Sequence, residues 1–383
     1  MKKIVLILTV FLTINSLRAQ EPTRVITTAI PFMLIATDAR SAGMGDMGVA
    51  TSADTYSMMH NAAKFAFLKD QQGVGFSYTP YLANIANDIS LAQLNYSNRF
   101  NERSAFAVNL RYFGLGDIQL SDELGNNGVV VNPNEFALEG AYALKLSERF
   151  SMGVGGKFIS SNLKINDGTN DASAASTFAV DVSGFYQSEE LYFNDFNGRF
   201  RAGFNFQNMG PKISYDNDVL NENFIPANMR LGAGFDFILD DYNKVSVTGE
   251  INKLLVPTPQ DFNDDGVINS EDANTYRQIG WVDGIFKSFN DAPDGLSEEM
   301  KETTWALGAE YWYQDSFALR TGYFHESEVK GARQYFTLGA GFKYKVINID
   351  VSYLFSASQV RNPLENTLRF SLSFNIGDKY DEL

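Results

Sequence analysis

A strict alternation of apolar and polar residues, repeated from about residue 72 to the C-terminus, most constrains what this chain can fold into. Its clearest instance sets one apolar face, Leu368, Phe370, Leu372, Phe374 and Ile376, against one polar face, Thr367, Arg369, Ser371, Ser373 and Asn375. Because successive side chains of a β-strand point to opposite faces, such a segment is a strand with one apolar and one polar side. The alternation therefore predicts an all-β fold.

The pattern predicts fourteen strands, most of them about as long as the roughly 9–11 residues that a tilted strand needs to cross a bilayer. We expect these strands at residues 72–80, 88–98, 102–114, 134–146, 150–163, 174–187, 198–208, 228–239, 243–253, 302–313, 316–326, 332–344, 346–357 and 365–376. Their number is even, as in bacterial barrels of the outer membrane.

Two architectures share this alternation, a soluble β-sandwich or propeller and a membrane β-barrel. Three features favour the barrel. The apolar faces are rich in aromatic residues, of which the chain has 31 Phe and 18 Tyr, as in lipid-facing bands with aromatic girdles. The opposite faces mix charged residues with Gly, Ala and Ser, which suits a polar lumen better than a dry core. The connections are also alternately short and long, like periplasmic turns and external loops.

We therefore expect a fourteen-stranded antiparallel transmembrane β-barrel. In hydrocarbon every backbone N–H and C=O needs an internal partner, so a sheet can span a membrane only when it has no edge. With a periplasmic N-terminal segment and an even number of strands, both termini are expected in the periplasm of a bacterial cell.

The N-terminus has the form of a secretory signal peptide. Lys2 and Lys3 precede an apolar run at 4–14, and the small residue Ala19 follows. The alternative, a membrane anchor, needs about 20 apolar residues, more than this run contains. We assign residues 1–19 to the signal peptide, 20–71 to an N-terminal segment and 72–383 to the barrel, whose longest external loop is 254–301.

The N-terminal segment is predicted to fold inside the lumen as a plug, because fourteen strands leave more room than their own side chains fill. The alternative is a periplasmic tail. The residues assigned to the plug are Asp38, Arg40, Gly43, Gly45, Gly48, Asp54 and Asn61. Four inward-facing arginines, Arg201, Arg230, Arg320 and Arg369, are expected to meet Asp38, Asp46 or Asp54. The glycines match a dinucleotide fingerprint formally, but without a βαβ context they are interpreted as close-packing turn residues.

Composition excludes several functions. The chain has 46 acidic and 31 basic residues, a formal net charge of −15, which argues against nucleic-acid binding because that needs a basic surface. It has no cysteine and only two histidines, His60 and His325, so thiol chemistry and multi-histidine metal centres are excluded. No nucleophile-elbow motif is present, and we predict that the protein is not an enzyme.

The longest loop contains a calcium-like spacing. Oxygen-bearing side chains occupy positions 1, 3, 5, 9 and 12 of the stretch 261–272, with Gly266 at position 6: Asp261, Asn263, Asp265, Asn269 and Asp272. Calcium takes six to eight oxygen ligands, and the spacing resembles the dockerin form of the EF-hand loop. The alternative is a solvated acidic loop, since Asn, Asp and Gly are ordinary turn residues. Ca²⁺ is therefore a candidate ligand, and no other cofactor is expected.

The same loop carries an apolar cluster of Trp281, Ile285, Phe286 and Phe289. A protein seldom leaves such a cluster exposed without a partner, and these residues are predicted to bind one.

Two stretches, Asp38–Gly45 and Gly48–Asp54, resemble the opening of the PorV family, also called LptO, within the FadL-like barrel superfamily. The stretches Asn252–Pro259 and Ser288–Pro293 resemble the long loop of that family. The resemblance covers essentially the whole mature chain. One departure is Asn61-Ala62-Ala63, where the family usually has Asn-Pro-Ala, which puts the local turn in doubt.

The resemblance implies an outer-membrane component of the type IX secretion system of Bacteroidetes. Its members bind the translocon barrel SprA (Sov), receive cargo proteins with C-terminal signal domains and pass them to the sortase-like PorU, in contact with outer-membrane lipids. Two alternatives stay open: a FadL-like transporter of hydrophobic small molecules, and a role in lipopolysaccharide modification, for which a partner enzyme is the better explanation.

Overall fold

A computed structural model of the protein describes residues 24–82, 86, 88–121, 127–163, 174–215, 221–358 and 362–380. The predicted signal peptide, residues 1–19, lies outside the described residues. The helices are short: 3₁₀ turns at Pro31–Leu34, Ser57–Met59 and Ala62–Phe67, and α-helices at Ala39–Ala42 (α1), Ser270–Gln278 (α2), Trp281–Lys287 (α3) and Leu296–Lys301 (α4). Within the described ranges, no helix has the length and apolar character needed to cross a membrane.

The alternating segments form strands, as predicted. Their bounds are Asp70–Pro80 (β1), Ile89–Arg99 (β2), Ser104–Leu115 (β3), Ile118–Ser121 (β4), Asn127–Val131 (β5), Asn134–Ser147 (β6), Phe150–Asn162 (β7), Ala175–Gln187 (β8), Leu191–Tyr192 (β9), Asn197–Met209 (β10), Asn228–Ile238 (β11), Asn243–Leu254 (β12), Thr303–Tyr313 (β13), Phe317–His325 (β14), Gln334–Tyr344 (β15), Ile347–Ser356 (β16) and Leu368–Lys379 (β17).

Fourteen of these strands close into one antiparallel ring, which confirms the predicted barrel. Each pairs with its neighbours along the chain, and the first and last strands pair with each other, with Val74 opposite Phe374. The two-residue strand β9 only extends the edge of β10, and β4 and β5 form a separate hairpin. Sequence reasoning missed these three pieces because they are too short for a period of two to be recognised.

The two faces of the ring differ as the alternation predicts. On β17 the outward side chains Phe370 and Phe374 are exposed, whereas the inward side chains Arg369 and Ser371 are buried. An apolar exterior and a polar interior suit a barrel that contacts lipid outside and encloses polar groups inside.

The two ends of the barrel differ in their connections. One end, called here the short-turn end, has tight connections such as 345–346 and 314–316; a longer one at 188–196 contains β9. The other, the long-loop end, has connections such as 210–227, 326–333 and 255–302. The last of these contains α2, α3 and α4, which the sequence did not predict.

Candidate partner-binding surface and lumenal segment

The N-terminal segment runs from the long-loop end of the barrel to the short-turn end. At the long-loop end, Arg24 donates hydrogen bonds to Asp294 (3.1 Å) and Glu298 (2.8 Å) of the loop 255–302. At the short-turn end, the carbonyl of Lys69 accepts a hydrogen bond of 2.8 Å from the backbone N–H of Tyr380. The residues between them therefore pass through the ring.

The first described residue, Arg24, and the start of β1 lie at opposite ends of the ring, and the periplasmic position of both termini stays a prediction. The start of β1 and the end of β17 do share the short-turn end, where Asp70 and Lys379 form an ion pair of 2.8 Å. Because the segment before β1 folds back through the ring, Arg24 lies at the opposite end. An even strand count fixes the ends of the barrel strands and not the path of what precedes them.

Apolar contacts hold the segment against the wall at both ends. The ring of Phe32 stacks on that of Phe113 toward the long-loop end, with centroids 6.1 Å apart. The ring of Phe67 meets Phe185 edge-on at 5.5 Å toward the short-turn end. Met47 belongs to a third apolar cluster of the segment and the wall, with Ala306 and Phe324. Burial of these side chains contributes to stability in proportion to the apolar area removed from water.

A buried ion-pair network joins the middle of the segment to the wall. The Arg40 guanidinium donates to both carboxylate oxygens of Glu310 on β13, at 2.9 and 2.8 Å, and to Asp54 at 2.7 Å. Glu310 also accepts a hydrogen bond of 2.7 Å from Arg320 on β14, which bonds Asp350 on β16 at 2.7 Å. Paired, hydrogen-bonded charges of this kind are the form in which charges are tolerated when buried.

The four arginines expected to meet aspartates of the segment behave differently from one another. Arg369 does so, forming an ion pair of 2.5 Å with Asp46. The other three find acids of the wall: Arg201 pairs with Asp236 and Arg230 with Glu250 on the next strand, while Arg320 pairs with Glu310 on the adjacent strand and with Asp350 two strands away. Asp38 instead faces His60 at 3.4 Å. Arg201 and Arg320 pair with acids of the wall, whereas Arg230 approaches His60 of the segment at 3.2 Å and Glu250 of the wall at 3.5 Å, and the sequence alone does not give the register that decides between them.

The glycines of the segment allow its backbone to touch the wall. A Cβ added at Gly43 would lie 3.0 Å from the Cα of Gly339, and Gly45 has a φ of +83°, which L side chains rarely adopt. The backbone N–H of Gly48 donates to Glu250 at 2.8 Å. These contacts favour the interpretation of the glycines as close-packing residues.

Asn61 ties the segment to itself and to the wall. Its amide nitrogen donates to the carbonyls of Val49 and Gly184, both at 2.9 Å, and its oxygen accepts the N–H of Ala63 at 3.0 Å. Asn61 is thus the N-cap of the turn Ala62–Phe67. The seven residues assigned to a plug all lie in this buried, wall-contacting segment, although their role as a plug is a proposal that we develop below.

Two cavities lie at opposite ends of the segment. The outer cavity, at the long-loop end, has a volume of about 480 Å³ and is the more apolar. Its apolar lining includes Val25, Pro31, Phe32, Leu34, Leu254 and Leu364, and its charged lining includes Asp46, Arg230, Glu302, Glu326, Lys330 and Arg333. The inner cavity, at the short-turn end, has a volume of about 150 Å³ and a lining that includes Lys69, Asp70, Lys244, Asp315, Lys343 and Asp350. None of the residues that the structure describes lines both cavities.

The loop 255–302 is a packed unit. On α3, Gly284 lies so close to its neighbours that an added Cβ would be 2.8 Å from the ring of Phe224 and 3.1 Å from Pro257. The Tyr276 hydroxyl on α2 donates to the carbonyl of Pro257 at 2.9 Å. The helices therefore pack on the start of their own loop and on the neighbouring loop.

The apolar cluster predicted in this loop divides into exposed and half-buried members. Phe286 is 73% exposed and Phe289 is 45% exposed, whereas Trp281 and Ile285 are half-buried. Sequence reasoning missed Leu296 and Met300, which are also exposed. Their spacing of four residues on α4 is the signal that would have found them, since side chains at i and i+4 share one helix face.

Three basic residues hold α4 to other parts of the chain. Lys330, from the loop 326–333, donates to Glu298 at 2.6 Å and to Glu302 at 2.9 Å. Lys253, at the end of β12, donates to Glu302 at 2.9 Å, and to Glu299 at 2.8 Å. Arg24 supplies the third contact. We call these three cations and the three glutamates of 298–302 the loop latch.

Asp291 extends the acidic side of the latch. Its carboxylate approaches those of Glu299 and Glu302 closely enough that the three could hold a metal ion, but lysines already bind both glutamates. Burial raises the pKa of Asp291 to about 6; the Thr258 N–H, which donates to this carboxylate at 3.0 Å, partly offsets burial, and the two glutamates add to it.

The pKa values of two latch glutamates move the other way. Burial is the largest single influence and would raise them, but the hydrogen bonds and charges of Lys330 on Glu298 and of Lys253 on Glu299, together with backbone N–H donors, outweigh burial, and both pKa values lie below the ordinary 4.5. Their stabilising effect is therefore present above pH 4.5 and lost as the pH falls through their lowered pKa values.

We expect the packing of the loop 255–302 to weaken as the pH rises from about 3.8 to about 6, the interval between the ordinary and the raised pKa of Asp291. The contribution of protonated Asp291 is complete below its ordinary pKa of 3.8 and is lost as the pH rises through about 6. Hydrogen exchange of the loop amides, corrected for intrinsic exchange, measures this. In the Asp291→Asn variant the protection of the loop amides should not fall over this interval. If the variant shows the same pH dependence as the native chain, Asp291 is not the group responsible.

The calcium-like stretch forms a tight turn followed by α2. Asp261 accepts the N–H of Gly266 at 2.6 Å, and Asp265 accepts that of Val267 at 2.9 Å. Asn269 and Asp272 form a capping box at the start of α2. Every one of these oxygens therefore has a structural role that needs no ion, and calcium binding by Asp261, Asn263, Asp265, Asn269 and Asp272 stays a prediction.

The described residues define a class of protein. A closed antiparallel ring of fourteen strands, apolar outside and polar inside, is a transmembrane β-barrel of the bacterial outer membrane.

Comparison with known sequences identifies the family. Residues 18–261, more than half of the chain, match the family described as Type IX secretion system protein PorV. The chain belongs to this family, which confirms the resemblance found in the sequence. A search of curated proteins finds no match. The family is a secretion component, a kind of protein whose role is not catalytic, and the absence of enzymatic activity in this chain stays a prediction.

Comparison with solved structures establishes the fold. A deltaS2S3 mutant of the TodX monoaromatic hydrocarbon channel matches with a TM-score of 0.51 at 11% identity, over 88% of this chain and 98% of that one. The Pseudomonas putida toluene transporter TodX gives 0.48 at 12%, over 87% and 96%. A Pseudomonas aeruginosa FadL homologue gives 0.43 at 12%, over 89% and 99%. The FadL-like barrel fold is thus confirmed, and such low identities carry no information on ligands.

Proposed function

We propose that the protein is a non-enzymatic component of the type IX secretion system that binds the translocon SprA and shuttles cargo proteins with C-terminal signal domains to PorU. The family supports secretion as the setting. The observation that carries the finer proposal is a barrel whose interior is occupied by its own chain and whose longest loop presents exposed apolar side chains. Such a barrel acts through its surface.

The orientation of the barrel follows from its connections. Outer-membrane barrels have short turns in the periplasm and long loops outside the cell. We therefore assign the short-turn end, with Tyr380, to the periplasm and the long-loop end, with Arg24 and the loop 255–302, to the cell surface.

The N-terminal segment is assigned the role of a plug that keeps the lumen closed. Arg40 bonds Glu310 on one side of the ring, and Asn61 bonds Gly184 on another. Because the outer and inner cavities share no lining residue among the described ranges, we expect no continuous path for cargo through the barrel.

The docking surface for the translocon is assigned to α3 and the residues after it. Phe286 and Phe289 remain exposed although Gly284 of the same helix packs closely on the loop beneath it. Aromatic side chains on a rigid support are typical hot spots of protein–protein interfaces, because they bury much area and lose little entropy.

We expect the double variant Phe286→Ser and Phe289→Ser to lose at least about tenfold in recovery of SprA after affinity purification from native membranes, since each aromatic anchor is worth more than about 1 kcal/mol. Both side chains are exposed, so the barrel itself should fold as before. The measurement is the ratio of SprA to tagged protein by quantitative mass spectrometry.

A matched control lies in the same loop. Val267 and Ile268 are exposed apolar residues, and their replacement by Ser should leave SprA recovery unchanged. Equal recovery with the aromatic variant and the wild-type chain would overturn the assignment of the docking surface.

The outer cavity favours a second candidate function, transport of a hydrophobic small molecule. Its volume of about 480 Å³ and largely apolar lining are typical of small-molecule sites. Transport would require the segment to move. A hydrophobic ligand bound in the cavity should then co-purify with the protein. Extraction of the purified protein followed by mass spectrometry tests this, and recovery of a stoichiometric apolar compound would favour transport over the shuttle.

A further inference from the structure

The first described residues form a stretch that lies outside any helix or strand, in the mouth of the barrel. Arg24 is bound by its ion pairs, and its carbonyl accepts a hydrogen bond of 3.0 Å from Lys330. The next anchor is the N–H of Ala29, which donates to the carbonyl of Phe224 at 2.9 Å. Within the described part of the chain, the backbone N–H groups of residues 25–28 have no hydrogen-bond partner. The stretch is therefore fixed at two points and open between them.

This stretch forms one wall of the outer cavity. Val25, Ile26, Thr27 and Thr28 all line it, and Thr304, Asn228 and Asn252 lie on the barrel side. The side-chain oxygens of Asn228 and Asn252 are buried and have no partner among the described groups. Buried acceptors of this kind are normally satisfied, so they are available to a donor that enters the cavity.

We propose that the outer cavity is a receptor groove for an extended polypeptide segment in which a basic residue precedes β-branched residues. Residues 24–29 of the chain occupy part of this groove until such a segment displaces them. The inference deepens the proposed function and rests on it for the source of the segment, a cargo protein. The groove itself rests only on the contacts described above.

The chemistry of the groove favours a polypeptide over an acyl chain with an anionic head. Asp294 and Glu298 stand where Arg24 enters, and they attract a cation and repel an anion. Lys330 donates to a backbone carbonyl there, and the orphan amide oxygens suit backbone N–H donors. The chain's own occupant has this chemistry, a basic residue followed by Val25 and Ile26.

Residues 24–29 can leave while the rest of the segment stays. The ion pair of Arg24 with Asp294, whose side chain is 60% exposed, is weak, whereas the pair of Arg24 with buried Glu298 has to be replaced by the same pair with the basic residue of the incoming segment. Ile30 and Phe32, by contrast, are almost fully buried in the apolar cluster with Phe113. A tethered occupant competes at a high effective concentration, so its removal should raise the affinity for a free segment.

The test uses the full chain, a variant lacking residues 20–29, and the full-length Arg24→Ala variant, all in lipid nanodiscs. The probe is a fluorescein-labelled peptide with the sequence of residues 24–31, followed by anisotropy. Both variants should bind it more tightly than the full chain, the truncated one by at least about tenfold. The Arg24→Glu peptide should bind at least about tenfold more weakly than the native peptide. A scrambled peptide and empty nanodiscs correct for partition into lipid.

Equal binding by all three proteins, or equal binding of the native and Arg24→Glu peptides, would overturn the groove. If the truncated variant fails to fold, shown by loss of its heat-modifiable shift on gels, Arg24→Ala alone decides. Competition between the labelled peptide and a purified cargo signal domain distinguishes failure of the groove from failure of the proposed shuttle function. If the peptide binds but the signal domain does not compete with it, the groove is supported and the shuttle is contradicted. If SprA is recovered but the peptide does not bind, the shuttle is supported and the groove is contradicted.

Discussion

Replacing Arg40 with alanine should loosen the N-terminal segment from the barrel wall by about 3–5 kcal/mol, the usual cost of removing one partner from a buried ion pair. Arg40 binds Glu310 through two hydrogen bonds and Asp54 through a third. Without it, Asp54 loses its cation, and Glu310 keeps only Arg320. The segment should then open far more often, and the purified variant in planar bilayers should show larger ion currents than the native protein.

Hydrogen exchange separates a local opening from general unfolding. In the Arg40→Ala variant the amides around 38–54 should exchange faster, whereas those of the barrel strands should keep their protection. Arg149→Ala is the matched control: Arg149 pairs with Glu189 at the exposed surface of the short-turn end and should change neither currents nor exchange. Unaltered exchange in Arg40→Ala would mean that the apolar contacts alone hold the segment.

The barrel strands could be predicted from the sequence because two solvents impose their pattern. On β17, Phe370 and Phe374 face lipid while Arg369 and Ser373 face the interior, and no other arrangement satisfies both sides. The alternation therefore gives each strand to within a few residues. It also gives the closure of the ring, since an unpaired edge is not tolerated in hydrocarbon.

The contacts of the lumenal segment could be predicted only in part. The sequence offers four inward arginines and several acids, and any of them can pair. Arg369 does pair with Asp46, but Arg320 lies directly opposite Glu310 on the adjacent strand and pairs with it instead of with an aspartate of the segment. Which acid pairs with each arginine depends on the register of the strands and on the path of the segment, and both are properties of the assembled barrel.

The helices of the long loop were missed for a different reason. The helices α3 and α4 are too short for a 3.6-residue period to be recognised. The capping box that begins α2 is formed by Asn269 and Asp272, and the spacing of the same two residues predicts calcium ligands. One spacing of Asn and Asp serves both a helix cap and a cation loop, so the sequence could not distinguish them.

Replacing Lys330 with alanine should free α4 from the barrel mouth. The Lys330 ammonium is buried and binds Glu298 at 2.6 Å, Glu302 at 2.9 Å and the carbonyl of Arg24 at 3.0 Å. Its removal leaves the two glutamates with less positive charge nearby, at a cost of about 3 kcal/mol. Since each 1.4 kcal/mol is a factor of about ten, the amides of residues 296–302 should exchange about a hundredfold faster.

The loop latch predicts how this effect is distributed. Lys330→Arg should restore most of the protection, because a guanidinium can bind both carboxylates. Lys287→Ala, an exposed substitution on α3, should leave the exchange of α4 unchanged. If α4 were as protected in Lys330→Ala as in the native chain, the prediction would be wrong, because Lys253 and Arg24 alone would hold the helix. If exchange accelerates and residues 24–29 loosen with α4, one network couples the mouth of the barrel to its longest loop.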